Sequence, residues 1–151
     1  MRPLRMNGDK MIILNKFHYD DIMAHCMNEL PNEACGLAAG RVEDDKKIIE
    51  KIYLLSNIDK SPEHFSMDPK EQFAAVRDMR GNGLALLGNF HSHPESPARP
   101  SEEDIRLAFD PDKSYLILSL AEEKNPILRS FNIVNKEVFI EEIIIGGESN
   151  G

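Results

Sequence analysis

The stretch that decides the fold is LALLGNFHSHP, residues 84–94, followed six residues later by SEED, residues 101–104. Leu84 to Phe90 is apolar and reads as a strand that leads straight into His91. On an extended chain, residues two apart point to one side, so His91 and His93 address a common point while Ser92 faces away. Pro94 lacks a ladder donor and ends the strand, leaving both imidazoles at its open end. Ser101 and Asp104 are three apart, hence neighbours on one helical turn. A helix packed beside the strand end would bring the Asp104 carboxylate to the same point. Two imidazoles and a carboxylate occupy three corners of a tetrahedral zinc site, with bonds of about 2.0–2.2 Å and a fourth corner left for water.

Taken singly these signals are weak. A His-x-His pair occurs in many proteins that bind no metal, and Ser101-Glu102-Glu103-Asp104 is also an ordinary helix start. Ser101 would cap that helix, and the acids would favour its dipole. The two roles are compatible, because a cap fixes where the helix begins and therefore where Asp104 points.

Outward from this stretch, elements alternate between strand and helix. Met11 to Leu14 reads as a short strand, and the apolar residues between Asp20 and Leu30 recur at helical spacing until Pro31. Cys35 to Gly40 and Lys47 to Leu55 read as strands. Asp68 as N-cap, Pro69 at the first helical position and Glu71 as a capping-box partner predict a second helix, ended by Gly81-Asn82-Gly83. A third helix is expected over residues 101–109, then strands over residues 114–120, 127–134 and 137–145. The order predicts a single α/β domain spanning residues 11–145, a mixed sheet flanked by helices. Residues 1–10 are expected to form a flexible leader and residues 146–151 a flexible tail.

Composition narrows the class. The 151 residues, 41% hydrophobic and 29% charged, suit one globular core. No apolar run approaches the roughly 18 residues that cross a bilayer, so no membrane partner is expected. Residues 1–10 lack the apolar stretch of a signal peptide, and two cysteines are too few for a secreted disulfide framework, which makes a cytoplasmic location the expectation. A formal charge of −8 leaves no basic stripe for phosphates and excludes nucleic acid as the main partner.

The full string His91-Ser92-His93-Pro94, six residues, Ser101, two residues, Asp104 resembles the motif of the JAMM (MPN-plus) zinc metalloproteases. That motif also has an upstream glutamate, matched here by Glu33 in Pro31-Asn32-Glu33-Ala34-Cys35-Gly36, in a form similar to the compact bacterial branch. The resemblance implies a cytidine-deaminase-like fold, with His91, His93 and Asp104 holding one Zn²⁺ per chain. It further implies Glu33 as general base and Ser101 as hydrogen-bond donor to the oxyanion. The short spacing between Pro94 and Ser101 is similar to stand-alone enzymes that process small ubiquitin-like sulfur-carrier proteins at a C-terminal Gly-Gly junction, for example releasing cysteine. A ubiquitin-like sulfur carrier is therefore the expected partner, and family members also associate as homo-oligomers. A substrate tail entering extended would pair with a strand edge beside the metal.

Three other readings compete. Two histidines and a carboxylate also make the facial triad of a cupin-like non-haem iron oxygenase, though a cupin is all-β and its glutamate lies further from the second histidine than Glu95 does. A deubiquitinase-like isopeptidase on another ubiquitin-like conjugate and a module that binds such a carrier without cutting it are further alternatives. Cys35 reads as a small buried core residue, His18 and His25 as packing or surface groups, and His64 and Glu95 as loop residues that could border the cleft. Gly146-Gly147 has the form of a cleavable diglycine, but a flexible tail explains it.

Overall fold

The structure, a computed structural model, describes residues 3–122 and 124–146. The chain forms β1 (Arg5–Asn15), α1 (Lys16–Asn28), β2 (Cys35–Glu43), β3 (Lys46–Leu55), α2 (Pro69–Gly81) and β4 (Ala85–His93). It continues as α3 (Glu102–Arg106), β5 (Ser114–Ser119), β6 (Ile127–Val134) and β7 (Glu137–Gly146). The strands are hydrogen-bonded in the order β1-β3-β2-β4-β5-β6-β7, and β7 returns to β1 to close a barrel. β1 runs parallel to both β3 and β7, and β4 runs parallel to β5; the other pairs are antiparallel.

Alternation along the strands sends side chains to two faces, each covered by a helix. Ile12, Leu14, Ala38, Phe90, Leu116 and Leu118 pack with Ile22 and Cys26 of α1. Cys35, Leu37, Ala39 and Leu55 face the other way and pack under Ala75 and Met79 of α2. Two glycines let the central strands approach closely. A Cβ at Gly36 would stand 2.1 Å from the Phe90 ring, and one at Gly88 would stand 2.1 Å from the Ser114 carbonyl oxygen.

A buried polar cluster ties four strands together. Glu141 of β7 accepts hydrogen bonds from Ser114 (2.6 Å) and Ser130 (2.7 Å), and Lys47 of β3 donates to Ser114 at 2.6 Å. The Lys47 ammonium lies 3.9 Å from the Glu141 carboxylate.

The structure departs from the sequence reading in several places. Residues 5–10 belong to β1 and not to a leader: Arg5 and Met6 pair with Phe139 and Ile140 of β7. The register then shifts before Met11 across Gly8, whose φ of +57° lies in the left-handed region. The expected tail begins a residue late, because Gly146 still pairs with Asn15; Gly147 and the residues after it lie outside the described residues. The expected sheet flanked by helices is closed on itself instead, since β1 has a partner on each side. α1 starts at Lys16, its first turn capped by the Asn15 side chain on the Phe17 amide. Asp68 does cap α2, but Glu71 closes no capping box; its carboxylate accepts from the Ser56 amide and hydroxyl. α3 is only five residues long, ending at Arg106 with Leu107 as its C-cap, short of the expected residue 109. No helix among the described residues is long and apolar enough to cross a membrane.

Candidate metal centre

His91 and His93 occupy the last turns of the pleat in β4 and point to one side, as the two-residue period requires. Both are buried, and Ser92 between them is turned into the protein, where its hydroxyl accepts a hydrogen bond from the Ala34 amide at 2.8 Å. α3 delivers Asp104. Its start is set by a capping box in which the Ser101 hydroxyl accepts from the Asp104 amide (3.0 Å) and the Asp104 carboxylate accepts from the Ser101 amide (2.9 Å). The candidate ligand is thus locked to the capping serine at the start of its own helix.

Three atoms meet at a point: His91 Nε2 and His93 Nε2 are 3.0 Å apart, and Asp104 Oδ2 lies 3.2 Å from each. Donors at about 2.0–2.1 Å from one tetrahedral ion stand about 3.3–3.4 Å from one another, so the triangle has the size that a single zinc-sized cation requires. The tautomer also fits. His93 Nδ1 donates to the Pro97 carbonyl at 2.8 Å, so in the neutral ring the lone pair sits on Nε2, the atom that faces His91 and Asp104. Phe65 stacks on the His91 ring, centroids 4.7 Å apart, and His91 Nδ1 is buried without a partner among the described residues.

Electrostatics agree with a cation-seeking cluster. Burial works to raise the Asp104 carboxyl, but hydrogen bonds from His91 and His93 outweigh it and hold the group well below the usual carboxylate range. Burial likewise disfavours the His93 imidazolium, yet Asp104 and the Pro97 carbonyl lift it above the ordinary histidine value.

Glu33 lies beside this triangle by strand register. Cys35 of β2 faces His91 of β4, so Glu33, two residues earlier, falls opposite His93 on the same face. The Ser92 amide extends the pairing by donating to the Ala34 carbonyl at 3.0 Å. Glu33 is 4% exposed, and its carboxyl is pushed up to about 8. Burial is the main cause; the attraction of His93 opposes it, and Asp104 and Glu103 reinforce it by repulsion.

The peptide of Glu33 is held by the 56–68 segment, whose role the sequence did not announce. Its amide donates to the Ser61 carbonyl at 2.8 Å, and its carbonyl accepts from Asn57 Nδ2 at 2.9 Å. Asn57 is buried and fully bonded: it also donates to the His64 carbonyl (3.1 Å) and accepts from the amides of Asp59 (3.0 Å) and Ser66 (3.1 Å). A lone asparagine in a polar loop carries no local signal of such work.

The remaining candidates separate cleanly. Cys35 is buried, and burial pushes its thiol up to about 12, which suits packing and no chemistry. His25 spans from α1 to the carbonyls of Cys35 and Leu55, a structural tie. His18 is buried on α1, away from the triangle. His64 pairs with Asp59 at 3.3 Å, and Glu95 is exposed.

Residues 15–134 match the family described as prokaryotic homologs of the JAB domain. The chain is 32% identical over 140 residues to the CysO-cysteine peptidase of Mycobacterium tuberculosis, which covers 93% of this chain and 94% of that one. It is 38% identical over 90 residues to a probable TtuB-protein conjugate cleaving protease of Thermus thermophilus, 59% of this chain and 57% of the relative. The fold matches the solution structure of a Desulfitobacterium hafniense protein with a TM-score of 0.84 and 57% identity, over 91% of this chain and 94% of that one. From the first helix through β6, with the His91-His93-Asp104 triangle in the middle, the chain belongs to the prokaryotic branch of the JAB (JAMM/MPN) domain family.

Proposed function

We propose that this protein is a zinc-dependent peptidase that hydrolyses the bond after the C-terminal Gly-Gly of a small ubiquitin-like sulfur-carrier protein. The observation that carries the reading is the closed triangle of His91, His93 and Asp104 with a buried glutamate opposite His93. A relative over nearly the whole length is named a CysO-cysteine peptidase, which supports both the reaction and the substrate class.

His91, His93 and Asp104 would hold the ion, which supplies Lewis acidity and lowers the pKa of water to about 7. Glu33 takes a proton from the attacking water and returns it to the leaving nitrogen. Burial suits it to this work, because a carboxylate raised toward neutral pH is a stronger base than an exposed one. Ser101 donates its hydroxyl hydrogen to the carbonyl oxygen as charge develops there; the hydroxyl's lone pair is already engaged by the Asp104 amide, which orients it. One such donor is worth about 2.7–4 kcal/mol in the transition state.

The cytidine-deaminase relationship is kept as part of this proposal, supported by the mixed sheet with a parallel β4–β5 pair at the site. A cytoplasmic setting is supported by two free buried thiols, Cys26 and Cys35. A second reading, an isopeptidase on lysine-linked conjugates of such a carrier, is favoured by the Thermus relative's name. Among the described residues β1 pairs with β3 only over Met11–Ile13, so closure of the barrel does not pair every strand edge, and the pairing of an extended substrate tail with an edge beside the metal belongs to this proposal.

The test is to incubate zinc-loaded protein with a carrier-Gly-Gly-Cys fusion and with a carrier-lysine conjugate, reading products by mass spectrometry. Cleavage after the second glycine is expected, and Glu33→Gln should abolish it with about one zinc per chain retained. Normal cleavage by Glu33→Gln would remove Glu33 from the mechanism.

A further inference from the structure

Next to the metal triangle lies a cavity of about 350 Å³ that shares His91 and Asp104 as walls. Its apolar lining includes Phe65, which stacks on His91, the buried Ile117 and Ile133, and Leu107 just past the end of α3. Leu107 is half exposed, so its apolar surface is available to a ligand. Ser66, Gln72, Asn89, Glu103 and Tyr115 supply its polar lining. A cavity of this size lies within the range that accepts small ligands, about 300–1,000 Å³, and far exceeds the roughly 30 Å³ of one water.

A diglycine tail has no side chains to place in it. With glycine at both positions before the bond, the side chain nearest a cavity walled by two candidate metal ligands is the one just after the bond being cut. The CH₂SH of a released cysteine would leave most of the volume and most of the apolar wall unused. We propose that this cavity is the specificity pocket for the residue released, and that it selects a large apolar side chain such as leucine or phenylalanine, joined through its α-amine to the diglycine. The proposal rests on the peptidase reading and extends it to the leaving group. In the reaction, water's hydroxyl goes to the glycine carbonyl carbon, the C–N bond breaks, and water's other hydrogen ends on the released α-amine.

Apolar recognition of this kind separates substrates by about 10–200-fold for each methylene-sized difference. Carrier-Gly-Gly-X fusions with X as Cys, Ala, Leu, Phe or Lys test it, with kcat/KM measured on the zinc-loaded protein. The Leu and Phe fusions should exceed Ala and Cys at least tenfold, and Leu107→Ser should narrow the Leu-to-Ala ratio. Equal rates across Ala, Cys and Leu would overturn the proposal, as would a preference for Lys, which would mean that Glu103 reads charge. A binding measurement keeps this separate from the peptidase reading. Calorimetry on zinc-loaded Glu33→Gln with acetyl-Gly-Gly-Leu-amide and its Ala counterpart should give tighter binding for Leu. If no fusion is cleaved, the peptidase reading fails on its own, and equal affinities for the two peptides would still refute the pocket.

Discussion

Replacing Glu33 by glutamine should stabilise the metal-free protein, and the gain should grow with pH. The Glu33 carboxyl is raised from an ordinary 4.5 to about 8, chiefly by burial. An acid whose folded pKa lies above its unfolded one folds best when protonated. Its contribution is intact below pH 4.5 and is lost as pH rises toward 8, where the unfolded chain releases a proton that the folded chain keeps. Each pKa unit corresponds to about 1.36 kcal/mol, so at pH 7.5 the loss amounts to about 4 kcal/mol, and near pH 4.5 to almost nothing. Glutamine keeps the shape without the charge. Urea unfolding of chelator-treated wild type and Glu33→Gln at pH 5 and pH 7.5 measures the difference. The two midpoints should lie closer together at pH 5, where about 0.8 kcal/mol of the loss is present, and separate clearly at pH 7.5, with Gln the more stable. Parallel pH dependences would refute the argument that burial strains this carboxylate. Zinc should shrink the gap, since a cation beside Glu33 favours its charged form.

Three further outcomes are expected. His91→Ala should lose the tightly held ion, seen as a fall from about one zinc per chain by elemental analysis, and a strong chelator should abolish hydrolysis by the wild type. Asn57→Ala should cost about 1–3 kcal/mol in urea unfolding, because it strands the carbonyls of Glu33 and His64; it should also lower kcat more than it raises KM, while zinc content stays unchanged. Lys47→Met should destabilise by about 3 kcal/mol, the low end for a broken buried pair because Ser114 and Ser130 still hold Glu141. Adding Glu141→Gln should recover most of that loss, and additive losses in the double variant would show that the two residues do not interact.

The triangle of candidate metal ligands was legible because its geometry is local. A two-residue period places His91 with His93, and a three-residue spacing with a capping serine places Asp104. α2 was equally plain from Asp68 and Pro69. What escaped depends on partners far along the chain. Arg5 to Lys10 look like a leader because charges and Gly8 interrupt their alternation; they become strand only through β7, more than a hundred residues away. Glu71 matches a capping box by spacing, yet a serine fifteen residues upstream competes successfully for its carboxylate. The 56–68 segment has no periodic pattern at all, so neither the bonding of Asn57 nor the stacking of Phe65 could be inferred from it. Glu33 itself was found only through resemblance; the strand register explains afterwards why that position faces His93.

The seam between β1 and β7 also dictates the order of assembly. Met11 to Asn15 lie parallel to Glu142 to Gly146, so a segment at one end of the domain must wait for one synthesised more than a hundred residues later. Until then β1 has only β3 beside it, and β6 exposes a hydrogen-bonding edge toward solvent. Pairings of such long sequence separation are slow to form. A nascent chain can thus bring His91, His93 and Asp104 together, all within residues 91–104, well before its sheet is sealed. An early-bound ion would then act as a fastener, holding β4 to α3 while the barrel waits for its final strand.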